Sequence, residues 1–368
     1  MKFKKLFLKL EKAFFYINIL FAALLLCSYL SAVISPQKFW PLAFLGLIYL
    51  ILLAINLVFC IYWAVRLKKY FFISAISILT GFNILFNSIE FNISSNAGSA
   101  SSVSGLKLMA YNVHNFRTLD TPRNFSANEA ILKLIKQNQP DVVGFEEYNA
   151  SRYRFKICDS LKKALNTDQF YFAPFIRSKS DSTGLALFSK YPIIYRGLIG
   201  LSDEPNDNQA IYIDIKYKSR TIRVYDFHLH SVKFDPEDYF VLNDFYHGRS
   251  MHLTGLKKIF SKLKQGFIIR GKQVDLICQH AAKCPYPYVF MGDFNDTPSS
   301  YAFNQMASGM RDAFREKGNG IGNTFNGGFA SFQLDYILVS KQFHVFDYQI
   351  IHKEISDHYP VCSKVALN

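Results

Sequence analysis

Three stretches without a charged side chain, all within the first ninety residues of a 368-residue chain, constrain its folding more than any other feature. Ala13 to Ile34 is 22 residues long, Trp40 to Val65 follows a break containing Pro36 and Lys38, and Tyr70 to Ile89 adds 20 more. An apolar run of about 20 residues is long enough to cross a bilayer as a helix. A cleaved signal peptide would account for the first run only, and no small-residue cleavage pattern follows it. The expectation is a membrane anchor over residues 1–90 with three transmembrane helices at about 13–34, 41–65 and 70–89. The third run is the most polar, with Ser74, Ser77, Thr80, Asn83, Asn87 and Ser88, and a buried or interfacial helix is the alternative there.

Basic residues give the anchor a direction. Lys2, Lys4, Lys5, Lys9 and Lys12 precede the first run and Arg66, Lys68 and Lys69 separate the second from the third, whereas Lys38 stands alone between the first and second. Lys and Arg beside membrane spans stay on the cytoplasmic side. The start of the chain is therefore expected inside and everything after Ile89 outside the cytoplasm, in the periplasm of a Gram-negative cell. Residues 91–105, rich in Ser, Asn and Gly, read as a flexible linker.

All nine histidines lie after position 105, in a part that reads as a separate domain over residues 106–368. Strands are expected at Leu106 to Val113, Asp141 to Phe145, Gly184 to Ser189, Tyr212 to Lys216, Thr221 to His228, Val289 to Met291, Leu334 to Val339, Phe343 to Ile351 and Pro360 to Val365. Asn128 to Gln139 has helical spacing, and Leu253 to His280 reads as a long amphipathic helix with Leu256, Phe260, Leu263, Phe267, Val274 and Ile277 on one side. Polar residues recur where strands stop: Asn112, Glu147, His228, Asp293 with Asn295, Asp335, and Asp357 with His358. Strands outnumber helices, which suits two packed sheets with helices outside them and a site at one rim.

Taken singly, each of these residues has a plain structural explanation, such as a turn cap or a satisfied core histidine. Taken in order they form a series: Tyr111-Asn112-Val113-His114, Pro140 to Glu147, Gly184 to Pro192, Phe227-His228-Leu229, Gly292 to Pro298, Leu334 to Ser340, and Ser356-Asp357-His358. That series resembles the endonuclease/exonuclease/phosphatase superfamily over about residues 106–368. The resemblance implies a four-layered α/β sandwich of two packed β-sheets flanked by helices, and hydrolysis of phosphoesters with Mg²⁺ or Mn²⁺. It implies Glu147 as principal metal ligand with Asn112 and Asp357 nearby, Asp293 as the group that activates water, and Asn295 as support for Asp293 and the phosphate. It further implies phosphate contacts from His358, oriented by Asp335, and from His228. Hard cations take oxygen ligands, and attack on phosphorus needs a placed base and donors to the phosphoryl oxygens, so the residue types suit the chemistry.

Two positions depart from the superfamily's pattern. Gln333 stands where relatives often carry Arg, and Glu146 stands where Gln is common, so the metal ligand is Glu147 or its neighbour, with strand alternation sending only one to the rim. His228 in place of Asn argues against abasic-DNA repair. The implied activity is a membrane-anchored phosphodiesterase or phosphomonoesterase; an extracytoplasmic endonuclease or exonuclease and a non-catalytic membrane-bound binding module are the alternatives. Substrate classes are a lipid headgroup, a nucleotide or a nucleic acid, membrane lipid is a second partner, and nothing calls for an obligate protein partner. Arg249, Lys257, Lys258, Lys262, Lys264, Arg270 and Lys272 occur with no acid between them, a tract expected to meet a polyanion or to be an ordinary solvated face. Cys158, Cys278, Cys284 and Cys362 allow disulfides but show no zinc-site spacing, and there is no phosphate-binding Walker loop or internal repeat.

Overall fold

The structure, a computed structural model, describes residues 2–91, 104–116, 126–151, 157–177, 181–201, 208–250, 252–327 and 331–368. Most of the expected linker thus lies outside the described residues. Residues 106–368 are built on two six-stranded sheets. The first contains β2 (Leu106–Asn112), β3 (Val142–Ser151), β4 (Phe170–Arg177), β5 (Asp181–Ser189), β15 (Phe343–Ile350) and β16 (Val361–Leu367), in the order β15-β16-β2-β3-β5-β4. The second contains β6 (Ile193–Ile199), β7 (Gln209–Tyr217), β8 (Arg220–His228), β9 (Tyr288–Asp293), β10 (Met310–Asp312) and β14 (Asp335–Ser340), in the order β10-β14-β9-β8-β7-β6.

Strand alternation divides the apolar residues into three cores. Leu106, Leu108 and Ala110 of β2 face Ile211 and Ile213 of β7 and Met291 of β9 between the sheets, all fully buried. Met109 and Tyr111 point the other way and pack on helices α7 (Ser126–Asn138) and α8 (Ile157–Leu165) through Ile131, Leu134 and Leu161. Beyond the second sheet, Phe227 and Phe290 pack on α10 (Leu253–Ala281) and α11 (Tyr301–Ala307) through Val274, Ile277 and Phe303. This is a four-layered α/β sandwich, as expected. Each fully buried side chain of this kind contributes about 1.5–3 kcal/mol.

Within each sheet one central pair of strands runs parallel, and these pairs place the site. β2 and β3 align Asn112 with Glu146, and β8 and β9 align His228 with Asp293. β14, antiparallel to β9, starts at Asp335 opposite Asp293. Ends of four parallel strands and the start of a fifth therefore meet at one rim.

The anchor differs from the expectation in its continuity. One helix, Leu6–Ala32, is long and apolar enough to cross a membrane by itself. The second run breaks at Ile48 into α3 (Pro41–Leu47) and α4 (Tyr49–Val65), bent by 66°, and the third breaks at Gly81 into α5 (Phe71–Thr80) and α6 (Phe82–Ser88), bent by 65°. α1 (Lys2–Tyr29), α4 and α5 pack together around buried polar side chains. Asn18 donates to Ser74 Oγ (2.6 Å) and accepts from Trp63 Nε1 (3.1 Å), and Ser74 donates to Asn56 Oδ1 (3.0 Å). Among apolar surroundings such bonds hold helices together.

The anchor also docks on the sandwich. Phe44 stacks on Phe260 of α10 at 3.9 Å, Ser31 donates to Ser299 O (2.7 Å), Ser299 donates to Gly46 O (2.7 Å), and β1 (Ile89–Phe91) pairs with β11 (Asn319–Ile321). All six cysteines are free, so the disulfides allowed by the sequence are not formed.

Gly292, one residue before Asp293, has φ +126°, and a Cβ there would fall 2.4 Å from Phe227 O and 2.7 Å from Phe227 N. Both are backbone atoms of the neighbouring strand and cannot turn aside. Gly292→Ala should cost at least about 2 kcal/mol, lowering the melting temperature by roughly 4–8 °C for a domain of this size. A melting temperature unchanged from wild type would show that the strand end accommodates the methyl group.

Candidate active site

Asp293 sits at the centre of the rim, 1% exposed. Its Oδ2 accepts from Asn112 Nδ2 (3.1 Å) and lies 3.8 Å from His228 Nε2 and 3.7 Å from His358 Nε2. Its Oδ1 accepts the backbone N–H of Asn295 (2.8 Å). Burial raises the Asp293 pKa above the usual carboxylate range, while His358 and His228 oppose that shift. His358 Nδ1 lies 2.9 Å from Asp335 Oδ2. Burial works against charge on this imidazole, yet Asp335 and Asp293 outweigh it and hold the pKa up to about 10. His358 is therefore an imidazolium at neutral pH, aimed through Nε2 at Asp293.

Of the two adjacent glutamates, Glu147 faces the rim and Glu146 does not. Glu146 is fully buried between the sheets, beside the buried Asp226 of β8. Burial pushes both carboxyls up, and the neighbouring Asp226 raises Glu146 further. Gly144 makes room for it, since a Cβ there would meet Asp226 Oδ1 at 2.4 Å. Glu147 follows at a bulge between Phe145 and Tyr148, adopts φ +50°, and turns to the rim with a 27% exposed side chain. Its Oε1 lies 3.7 Å from His228 Nε2, and its Oε2 accepts from Asn115 Nδ2 (3.0 Å).

The eight residues singled out from the sequence therefore converge on one rim. Asp357 joins it through His114, whose Nδ1 is 2.9 Å from Asp357 Oδ2, and through Ser356, which donates to Asn112 O (2.9 Å). Burial works against the Asp357 charge, but His114 and His358 hold the pKa down at about 2. Asn295 departs from its expected role in one respect. Its backbone, not its side chain, bonds Asp293, and its side-chain amide donates to Leu229 O (3.0 Å).

Four supporting residues were not assigned from sequence. Asn115 holds Glu147 and accepts from Thr183 Oγ1 (2.9 Å), and His114 holds Asp357. Arg270, 2% exposed, donates Nε to Asp296 Oδ2 (2.9 Å) and an NH1 hydrogen to His230 O (2.9 Å), tying α10 to the loops after β8 and β9. A visible signal was its place on the apolar side of α10, between Phe267 and Val274. The neighbouring basic tract is mostly engaged: Lys258 and Lys262 pair with Asp235 and Asp238, and Lys264 lies over the Trp40 ring at 4.8 Å.

Family comparison agrees with this geometry. The family model described as "Endonuclease/Exonuclease/phosphatase family" matches residues 109–358. The chain belongs to this family. A second model, a domain of unknown function (DUF8431), matches residues 11–88. Comparison with curated proteins gave no match. Among solved structures, an endonuclease/exonuclease/phosphatase family protein from Bacteroides thetaiotaomicron is 16% identical with a TM-score of 0.53, over 72% of this chain and 96% of that one. A mannosyl-6-phosphatase from the same organism is 15% identical, TM-score 0.51, over 71% and 100%. The catalytic domain of human Nocturnin, solved with a bound sulfate, is 16% identical, TM-score 0.51, over 72% and 95%. At these identities the likeness establishes the fold that family members share.

Removing Arg270 would leave Asp296 buried and unpaired, so Arg270→Leu should lose about 3–5 kcal/mol. The double variant Arg270→Leu/Asp296→Asn should recover part of that loss. Denaturant unfolding of wild type, Arg270→Leu, Asp296→Asn and the double variant measures the coupling, and additive losses would mean that the pair does not act as a unit.

Proposed function

We propose that the protein is a membrane-anchored, divalent-metal-dependent phosphoesterase that hydrolyses a phosphodiester or phosphomonoester by in-line attack of water. The observation that carries this reading is the placement of Asp293 Oδ2 within 3.8 Å of two imidazoles and 3.1 Å of an amide, beside the open carboxylate of Glu147. The donor set fits a hard cation, since Glu147, Asn112 and Asp357 offer oxygens. Glu147 and Asp357 are also the open carboxylates, with side chains 27% and 22% exposed against 1% for Asp293 and Asp335. A second group, Asp293, Asp335 and His358, has ligand atoms within 4.8 Å of one another. We prefer the first set, because its carboxylates are open to an incoming cation, whereas Asp293 and Asp335 are 1% exposed and already engaged by Asn112 and His358.

Glu147, Asn112 and Asp357 would hold Mg²⁺ or Mn²⁺, which when bound gathers the negative charge of the phosphoryl group. Asp293, aligned by Asn112 and by the Asn295 backbone, receives the proton of the attacking water. The new P–O bond forms as the bond to the leaving oxygen breaks on the opposite side. His358 presents Nε2–H to a phosphoryl oxygen while Asp335 keeps it charged, and His228 offers a second contact.

The two bent helix pairs are read as the second and third spans, with the catalytic domain outside the cytoplasm. The folded anchor supports this. Glu11 pairs with Lys68 (3.1 Å) and Arg66 (3.9 Å) at the basic end, whereas Ser31, Gly46 and Asn87 meet the sandwich at the other. A reporter active only after export, fused after Gly105, should be active, and a cytoplasm-dependent reporter there should be silent; the reverse would place the site inside.

A screen of the protein with Mg²⁺, with and without chelator, against lipid, nucleotide, DNA and RNA phosphoesters tests the reaction. Asp293→Ala and His358→Ala should each lower the rate on the order of a hundredfold or more with the fold retained. Glu147→Gln should raise the Mg²⁺ concentration needed for half-maximal rate. Full activity of the Asp293 variant, or of wild type in excess chelator, would end this mechanism. Cleavage of nucleic acid alone would favour the nuclease alternative, and no turnover of any ester the binding module.

A further inference from the structure

The first helix sets the level of a bilayer. From Glu11, paired with Lys68 and Arg66 at the basic end, to Ser31 it rises about 30 Å, the thickness of a hydrocarbon core. Ser31 therefore lies at the boundary on the sandwich side. Gly46 of α3 lies at the same level, because a Cβ there would fall 2.3 Å from Ser31 Oγ. Phe44 of α3 and Trp40 just before it carry that level onto α10: Phe44 stacks on Phe260 at 3.9 Å, Trp40 meets Phe260 edge-on at 5.6 Å, and Lys264 lies over the Trp40 ring. Trp is a residue that gathers at the headgroup level of membranes.

From Phe260 a mixed apolar and basic stripe continues along α10. Leu253, Lys257, Phe260 and Lys264 recur at intervals of four, three and four residues, which puts them on one side of the helix. Phe260 stays 45% exposed despite its stack on Phe44, and Leu253 is 62% exposed. Lys258 and Lys262, on the next side, are taken up by Asp235 and Asp238, but Lys257 and Arg249 have no carboxylate partner among the described residues. The preceding helix α9 (Pro236–Tyr246) adds Phe240, Phe245 and Tyr246, all more than half exposed. It packs on α10, where a Cβ at Gly255 would fall 2.6 Å from Val241 Cγ2, and the Phe240 ring lies 5.9 Å from the ring of His252, next to Leu253. Half of the large apolar side chains exposed among the described residues of 106–368 fall between Tyr239 and Phe260. Such a concentration marks an interaction surface.

We infer that this face of α9 and α10 rests on the bilayer that holds the anchor, in the leaflet on the sandwich side, with its rings at the acyl boundary and Arg249 and Lys257 against anionic phospholipid headgroups. Continuity decides the occupant, since the stripe begins on Trp40 and Phe44, which belong to the anchor and stand at the bilayer boundary. Charge agrees with it: apolar and basic residues sharing one helical face are the pattern of a helix that lies in the plane of an anionic interface. The same helices border the active site. Burial raises the Tyr239 phenol and the Asp357 carboxylate adds to that rise, so this end of α9 is near the rim. The contact thereby holds the rim beside the membrane surface. The inference rests on the membrane-anchored reading and not on the hydrolytic one.

The test uses the full chain, one copy per phosphatidylcholine nanodisc, with a trace of either phosphatidylglycerol or phosphatidylcholine carrying a photoreactive diazirine at the ester end of one acyl chain. Peptides from residues 239–260 should be labelled, and by the phosphatidylglycerol probe at least about fivefold more, the equivalent of one basic residue at an anionic surface. Arg249→Gln/Lys257→Gln should bring the two probes level. Phe240→Asp/Leu253→Asp should lower labelling by both probes to that of β6, the exposed edge strand that serves as reference. Labelling of α1 is the internal standard for insertion. Residues 239–260 labelled no more than β6, or equally by both probes in the wild type, overturns the inference. Labelling that is lost when two copies share a disc also overturns it and assigns the face to a second copy. Unlabelled α1 would remove the membrane anchor and this contact together, whereas labelled α1 with unlabelled 239–260 would remove the contact and leave the anchor standing.

Discussion

The parallel pairing of β2 with β3 and of β8 with β9 is the constraint on which the rest depends. Parallel neighbours must end on the same side, so four chain segments far apart in sequence deliver Asn112, Glu147, His228 and Asp293 to one rim. Antiparallel hairpins alone would alternate their ends between opposite rims. The packing between the sheets, dry and built from residues such as Leu108, Ile213 and Met291, then fixes how near the two pairs approach. His228 of the second sheet comes within 3.7 Å of Glu147 of the first for this reason.

That approach has an electrostatic cost. Glu146, Asp226, Asp293 and Asp335 are all at most 1% exposed, and such a group of carboxylates could not be charged together in so little water. The structure answers in two ways. Below the rim, burial pushes the Glu146 and Asp226 carboxyls up, toward the neutral form that needs no cation. At the rim, His358 sits between Asp335 and Asp293 and supplies positive charge. Left-handed backbone at Glu147 and Asn295 is a further expense, concentrated where side chains must be aimed.

Much of this was legible in the sequence because strand ends announce themselves: an apolar run that stops on Asn, Glu, His or Asp places a polar group at a rim. The two sheets and all eight rim residues followed from that rule together with the resemblance. What the rule missed was set by long-range contacts. Asn115 and Thr183 are 68 residues apart, and only the folded chain shows that one positions the other beside Glu147. Strand β6 escaped notice because it is an edge strand with Ile194, Tyr195 and Leu198 exposed, which spoils the alternation. The basic tract was left between a polyanion-binding face and a solvated one because the acidic partners of Lys258 and Lys262, Asp235 and Asp238, lie earlier in the chain.

The anchor's breaks were also invisible to hydropathy, which stays high across Ile48 and Gly81. Their cause is tertiary. Bending at Ile48 lets α3 lie along α10, where Phe44 stacks on Phe260 and meets Phe267 edge-on. Gly46 permits this close approach, because a Cβ there would fall 2.3 Å from Ser31 Oγ. Ser31 and Gly46 together grip Ser299, three residues beyond Asp296 on the loop that carries Asp293 and Asn295. On the other side Arg270 grips the same loop through Asp296. The loop after Asp293 is therefore clamped between α10 and the anchor, and the anchor acts as a structural layer of the domain rather than as a leash. A sandwich cut free after residue 103 would keep its strands and its Arg270 clamp but lose the partners of Ser299, the cover over Phe260 and the strand paired with β11.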